Sequence, residues 1–212
     1  MRLNEEAQSA MNSPRDPADT PRAPRQGQRL PPGQVLTDKW PVLHYGSVPK
    51  LDLSAWSFRV FGLVEREKRW TWEEFLSLPR VEVRNDIHCV TRWSKFDNLW
   101  QGVAVKEVLR EAGVRPEARY AIAHAEQGFT ANLPLAELLH DDVLLALKHG
   151  GEDLTPEHGW PLRLVVPERY FWKSAKWIRG LELSAADRPG FWEQNGYHND
   201  ADPWREQRFS DW

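Results

Sequence analysis

Cys89 is the only cysteine of the chain, and it stands where an alternating segment gives way to a polar loop. In most proteins a lone cysteine is a small buried hydrophobe. Here Arg92 follows three positions later, and a nearby cation favours the thiolate, which is the form that binds metals or acts as a nucleophile. Zinc is disfavoured, because no second cysteine is present and the adjacent His88 would point to the opposite face of a strand. Cys89 is therefore a candidate metal ligand or nucleophile.

A second candidate site lies between residues 158 and 179, where basic residues stand against a single acid, Glu168. The basic residues are Arg163, Arg169, Lys173, Lys176 and Arg179. Together with Ser174 and the exposed amides of a turn, they could hold a phosphate through charge-assisted hydrogen bonds. A charge run is more often a solvated surface loop. The interleaved Trp, Tyr and Phe residues instead favour a walled cleft.

Two histidines give weaker signals: His44, which Tyr45 and Gly46 follow, and His124. A histidine flanked by apolar segments is more often a hydrogen-bonded structural residue than a ligand. Its ordinary pKa nevertheless suits proton transfer.

Short strands with few helices would have to position these residues. Alternation of apolar and polar residues predicts strands over 56–61 and 81–87, with further candidates at 120–125, 143–147, 162–166 and 177–183. Apolar residues three and four positions apart predict helices over 72–78, 105–112 and 135–139. Because regular βαβ alternation is missing, a mixed, strand-rich α+β fold is favoured over a doubly wound sheet.

The chain is expected to form one domain, residues 37–212, after an N-terminal tail of residues 1–36. The tail is rich in proline and scattered charge, so it has too little apolar surface to order itself, and we expect it to be disordered or extended over the domain. The segment from Ala186 to the end indicates an irregular wrap, anchored by Trp192, Trp204 and Trp212.

Composition excludes several classes of protein. With 28 basic and 31 acidic residues in 212, the net charge of -3 gives no reason to expect nucleic acid or an anionic membrane as partner. No apolar run is long enough to span a bilayer. One cysteine cannot form an internal disulfide, and neither a secretory signal nor a twin-arginine motif is visible, so the cytoplasm is the expected location.

Three stretches of the chain resemble the sulfite-oxidase family of molybdopterin enzymes, in particular its short bacterial sulfite-oxidase-like branch. They are residues 88–94, the segment from His158 to Lys176, and the segment from Gly190 to His198 with the Asp-Pro-Trp that begins at Asp202. The resemblance covers residues 38–212, and the three stretches in order make a specific signal.

The resemblance implies a role for individual residues. Cys89 matches the cysteine whose thiolate ligates molybdenum, and Arg92 would face the substrate pocket. The cofactor-binding residues expected from the resemblance and from the weaker histidine signals are His44, Tyr45, Gly46, His124, His158, Arg163, Ser174, Ala175 and Lys176. Of these, Ser174, Ala175 and Lys176 match the turn that holds the phosphate of the pterin.

The implied function is two-electron oxygen-atom transfer on a small oxo substrate such as sulfite or a sulfoxide. The cofactor would be molybdenum-molybdopterin in its mononucleotide-free form. The dimerisation and haem domains of full sulfite oxidases have no counterpart in this sequence, so we expect a monomer that relies on a separate electron-transfer partner.

Two other functions fit the residues alone. Cys89 could be the nucleophile of a hydrolase or transferase, with His124 or His158 as base. Alternatively, the chain could be a module that binds the pterin or another phosphorylated ligand without turnover. A thiolate beside a cation favours the redox enzyme over a carrier.

Overall fold

The computed structural model describes residues 29–210, which form two β-sheets packed face to face with four short helices. The strands are β1 (Val35–Leu36), β2 (Ser57–Gly62), β3 (Lys68–Thr71), β4 (Val81–His88), β5 (Trp93–Ala104), β6 (Tyr120–Ala125), β7 (Thr130–Pro134), β8 (Leu144–His149), β9 (Glu152–Asp153), β10 (Arg163–Val165) and β11 (Ile178–Ser184). The helices are α1 (Trp72–Leu76), α2 (Val105–Ala112), α3 (Leu135–Leu138) and α4 (Phe191–Gln194). The predicted strand-rich α+β class is confirmed.

The first sheet is built around β5, which pairs with β4 on one side and with β8 and β1 on the other; β10 and β9 join through β8. The second sheet has the order β3-β2-β11-β6-β7. Both sheets are antiparallel except where β1 meets β5 and where β2 meets β11. Neither parallel pair is joined by a regular helix crossover, which explains why the sequence lacks a βαβ rhythm.

The main core lies between the two sheets. Phe58 and Val60 of β2 face it while Ser57 and Arg59 face outward, as strand alternation requires. Helix α2 buries Val105, Val108, Leu109 and Ala112, one apolar stripe at spacings of three and four. A smaller cluster around Trp100 and Leu144 covers the other face of the first sheet.

Strand β5 was not predicted, although it is the longest strand. Asp97 within it adopts a positive φ of 56°, and the pairing with β4 shifts register between Asn85 and Ile87. This irregularity breaks the alternation of β5. Odd-numbered residues before it and even-numbered residues after it lie on the same face of the sheet. No helix among the described residues is long and apolar enough to cross a membrane.

Both ends of the described chain lie on the domain. Val35 and Leu36, inside the predicted tail, pair with β5, and Arg29 binds Asp86 at 2.5 Å; residues 1–28 lie outside the described part. Near the other end, Trp192 packs against Tyr197, and Trp204 packs against His88 with ring centroids 5.0 Å apart. Trp212 also lies outside the described residues.

A buried ion pair fastens this C-terminal wrap. Lys173 and Glu193 approach to 2.6 Å with side chains 1% and 2% exposed. Lys173 also donates to the carbonyl and side-chain oxygens of Asn132, and Trp172 Nε1 donates to Glu193. The wrap is therefore tied to the interior by the ammonium charge of Lys173, which forms its ion pair with Glu193.

We predict that Glu193→Gln lowers the free energy of unfolding by about 3–5 kcal/mol, because it leaves the buried Lys173 ammonium without its counter-charge. Urea unfolding measures the change. The matched control is Arg110→Gln, which breaks the exposed Arg110–Glu107 pair and should cost at most about 1 kcal/mol. Equal effects of the two substitutions would contradict the prediction.

Candidate active site

A cavity of about 300 Å³ opens where the end of β4, the segment before β11 and the C-terminal wrap meet. Its polar wall residues include Cys89, Thr91, Arg163, Ser174 and Lys176. Aromatic rings form most of the remaining wall: Trp40, Tyr45, Trp93, Phe129, Phe171, Trp172, Trp177, Phe191, Trp192 and Tyr197. The two candidate sites of the sequence are thus two walls of one cleft.

Cys89 sits in a tight turn just after β4, with 8% of its surface exposed. Its amide donates to the Trp93 carbonyl at 2.9 Å, and its carbonyl accepts from the Arg92 amide at 3.0 Å and from Gln34 Nε2 at 3.1 Å. The Thr91 hydroxyl donates to the sulfur at 3.1 Å. Burial raises the pKa of the thiol, while the Thr91 hydrogen bond opposes that shift. A cationic ligand beside the sulfur would be needed to hold it as the thiolate.

The structure does not place Arg92 as the sequence suggested. Arg92 is exposed, has a φ of 73° and is absent from the cavity wall. Since its amide closes the turn on Cys89 and its carbonyl accepts from Val35, the backbone fixes the side chain on the outer side. The cation that lowers the pKa of the thiol is instead Arg208, whose Nη1 donates to the Val90 carbonyl at 2.7 Å.

Arg163 is the most unusual side chain of the cavity. It is 1% exposed and donates to the carbonyls of His158 and Ser174 at 2.9 and 3.0 Å, whereas its buried Nε has no partner. Within residues 29–210 no carboxylate pairs with it, and burial lowers its pKa to about 9. The rings of Phe171 and Trp40 lie against the guanidinium. A buried donor without a partner beside a cavity fits an anionic ligand.

The predicted phosphate turn lies in the same wall, but its free donors are side chains. The amides of Ser174 and Ala175 donate to Phe171 and Lys173 carbonyls, so they are already used. The Ser174 oxygen accepts from the Val166 amide at 2.9 Å, which leaves its own proton for a ligand. Lys176 Nζ donates to two carbonyls, and burial, followed by the charge of Arg163, lowers its pKa to about 7.

The other predicted residues lie in different places. His44 and Tyr45 are exposed at the cavity rim, and Gly46 turns the chain there with a φ of 72°. That left-handed φ favours glycine, whereas among the described residues the only close neighbour of a Cβ at Gly46 would be the flexible end of the Gln127 side chain. His158 stands behind the wall and stacks on Trp40 with ring centroids 3.9 Å apart.

His124 is not brought to the cavity. Its neighbours Ala123 and Ala121 face the main core, so alternation along β6 turns His124 to the other face. There its Nε2 lies 2.9 Å from Glu182. The same position removes it as a base for Cys89.

Several wall residues were not assigned a role from the sequence, among them Trp40, Thr91 and Tyr197. Thr91 could have been found, because a hydroxyl two positions from the cysteine can reach its sulfur. Among the described residues that line the cavity, Glu126 is the one acidic residue. Its Oε1 lies 3.4 Å from Nε of Arg179, which does not line the cavity. The cavity therefore carries an excess of positive charge from Arg163 and Lys176.

Comparison with known proteins shows which family the chain belongs to. A family model described as the oxidoreductase molybdopterin binding domain matches residues 45–192. The chain belongs to the molybdopterin-binding oxidoreductases. The resemblance found in the sequence is thereby confirmed, and membership implies a molybdenum-pterin cofactor.

Relatives of this molybdopterin-binding oxidoreductase carry several names. It is 52% identical over 186 residues to "Uncharacterized oxidoreductase YuiH" of Bacillus subtilis (strain 168), covering 87% of this chain and 94% of that one. It is 30% identical to "Putative protein-methionine-sulfoxide reductase subunit YedZ1" of Azospira oryzae, covering 82% and 68%. The sulfane dehydrogenase SoxCD structure from Paracoccus pantotrophus superposes with a TM-score of 0.64 at 26% identity, covering 72% of this chain and 43% of that chain.

We predict that the unfolding free energy of the cofactor-free protein rises between about pH 7 and about pH 8.5 because of Lys176. Its folded pKa is about 7 against an ordinary value of 10.5. The unfolded chain keeps the proton that the folded chain releases, so stability increases with pH. Lys176→Met should flatten this slope in urea unfolding at both pH values, whereas the exposed-lysine control Lys106→Met should keep it. An unchanged slope in Lys176→Met would rule out the assignment.

Proposed function

We propose that the protein is a molybdenum-pterin oxidoreductase of the sulfite-oxidase type that moves an oxygen atom to or from a small oxo substrate. The observation that carries this proposal is one cavity lined by both the Cys89 thiol and the guanidinium of Arg163, whose Nε has no hydrogen-bond partner among residues 29–210. A soft sulfur ligand suits a heavy transition metal, and a buried cation suits the anionic cofactor that would carry it.

The wall residues fit a pterin that bears one phosphate. Arg163, Ser174 and Lys176 present a guanidinium Nε, a hydroxyl and an ammonium group for that phosphate and the pterin edge. The cavity volume of about 300 Å³ lies at the lower end for ligand sites. This size supports the mononucleotide-free form of the cofactor. His44 and Tyr45 would cover it at the rim, and His158 would act through Trp40.

Bound there, the cofactor would supply the two-electron oxygen-atom transfer. The chain's own contribution is positional and electrostatic. Cys89 would hold the metal, with Thr91 donating to its sulfur and Gln34 fixing its carbonyl. Burial, with a contribution from Cys89, raises the pKa of Tyr197, so its phenol stays protonated and can donate a hydrogen bond to an oxo group.

The substrate we propose is a small sulfur or nitrogen oxo compound, with sulfite and a sulfoxide as first candidates. The mouth is lined by rings, which exclude bulk water, and Tyr197 and Lys176 are polar wall residues whose pKa values respond to the charge of Cys89. The names of the relatives, a methionine-sulfoxide reductase subunit, nitrate reductases and a sulfane dehydrogenase, include both elements. Arg92 has no part in this proposal, since it lies outside the cavity.

Electrons would pass to or from a separate partner protein, because the sequence has no second cofactor motif. The single cysteine fits a reducing compartment, and we propose a cytoplasmic monomer.

We predict that Cys89→Ser lowers the molybdenum content and the turnover of the protein by about 100-fold or more, since even second-shell changes at metal sites cost about 10–100-fold. Protein made in a molybdenum-replete host is assayed by elemental analysis and by sulfite- or sulfoxide-dependent turnover with an artificial electron carrier. Pterin fluorescence measures whether the organic cofactor stays bound.

Ser77→Ala, on the exposed end of α1, serves as control and should change neither quantity. Wild-type protein purified with no molybdenum and no pterin would overturn the proposal. Metal-free turnover that alkylation abolishes would instead support the hydrolase or transferase.

A further inference from the structure

Three arginines line a second depression, of about 210 Å³, on the outer face of the second sheet. They are Arg59 of β2, Arg69 of β3 and Arg179 of β11, and Ser57 completes the wall. This face is opposite to the main core. The depression is separate from the cavity that holds Cys89, with which it shares no wall residue.

The register of the sheet brings these charges together. Arg59 pairs directly opposite Arg69 in the antiparallel ladder, and like charges at such positions destabilise a sheet. Arg179 occupies the extra position of a register shift between Ile178 and Gly180. A β-bulge of this kind redirects one side chain, and here it adds a third cation beside two that already repel.

The guanidinium groups contact their neighbours at ring faces or through single Nε groups. Arg59 lies 3.9 Å above the Phe61 ring, and Arg179 lies 5.4 Å from the Trp56 ring centre. Arg69 Nε donates to the Ser57 hydroxyl at 3.0 Å. A guanidinium stacked on a ring uses its face, so its in-plane donors remain available for an anion.

Gly180 keeps the space beside these groups open. A Cβ at this position would lie 2.8 Å from the Arg59 carbonyl oxygen and 3.0 Å from Arg59 Cγ. A glycine within a strand often marks a place where another part of the chain approaches the backbone closely, here Arg59. The arrangement therefore depends on specific backbone features of β2 and β11.

Among the described residues, the charges of the depression are balanced only in part, by Glu126 at Arg179. None of the four residues that line it is acidic. The carboxylate nearest to the cluster is Glu126, 3.4 Å from Arg179 Nε, and it belongs to the wall of the main cavity. Arg59 and Arg69 have no carboxylate partner within residues 29–210.

We infer that this depression is a second anion site, which binds a small tetrahedral oxyanion, phosphate or sulfate, from solution. Arginine forks match the oxygens of such anions with paired, charge-assisted hydrogen bonds. Three donors from three adjacent strands surround one depression, so a single anion can contact all of them and relieve their repulsion.

The test is calorimetric titration of inorganic phosphate, and separately sulfate, into the full chain at low ionic strength, with chloride as the blank. Arg59→Gln should weaken binding of both anions about tenfold or more, the value of one charge-assisted hydrogen bond. Arg69→Lys, which keeps the charge but loses the fork, should also weaken it. The matched control Arg115→Gln removes an exposed arginine elsewhere and should leave binding unchanged.

Lys176→Met separates the two sites, because it alters the main cavity and leaves the depression intact. Binding that survives Lys176→Met and falls in Arg59→Gln supports the second site. Loss in Lys176→Met alone would assign the anion to the main cavity and overturn the inference. Absence of saturable binding, or equal losses in Arg59→Gln and Arg115→Gln, would overturn it as well. Thermal unfolding of each variant checks that the fold is kept.

Discussion

The burial of the Arg163 guanidinium, with no carboxylate partner in the part of the chain that the structure describes, is the constraint around which this protein is arranged. Removing such a charge from water is costly, and carbonyl groups and aromatic faces offset only part of that cost. The carbonyls of His158 and Ser174 and the rings of Phe171 and Trp40 come from segments that must therefore stay fixed. An anionic ligand would supply the missing counter-charge, so ligand binding and local stability are coupled at this residue.

The irregular ends of the chain complete the site. Gln34 lies 55 positions before Cys89 and Arg208 lies 118 positions after Val90, yet both hold the cysteine turn through its carbonyls. The buried Lys173–Glu193 pair keeps the wrap that carries Trp192 and the cavity residue Tyr197 in place. The position of the Cys89 sulfur thus depends on segments with little regular structure, which buried hydrogen bonds and an ion pair hold in place.

Sequence patterns predicted several strands and several residues of the cavity wall. They predicted less well which way a side chain points. Strands β2, β4 and β6 follow from alternation, and Cys89, Arg163 and Lys176 do meet in one cavity. Arg92 was misplaced because spacing along a chain does not reveal a positive φ, which turns the side chain outward. Arg208 could not have been predicted from local pattern, since only the folded path of the wrap brings it beside the cysteine turn.

Two neighbouring backbone irregularities, one just before β11 and one within it, shape both faces of the second sheet. Trp177 adopts a φ of 52°, which is costly for a bulky residue unless its surroundings hold it. Its indole donates to the Pro156 carbonyl at 2.8 Å, and its own carbonyl accepts from the Glu126 amide, so both ends are fixed. The strained turn directs the Trp177 ring into the main cavity, and the register shift two residues later places Arg179 with the outer arginines. Straightening this segment would remove an aromatic wall from one side and a cation from the other, which is a physical reason for the strain to be retained.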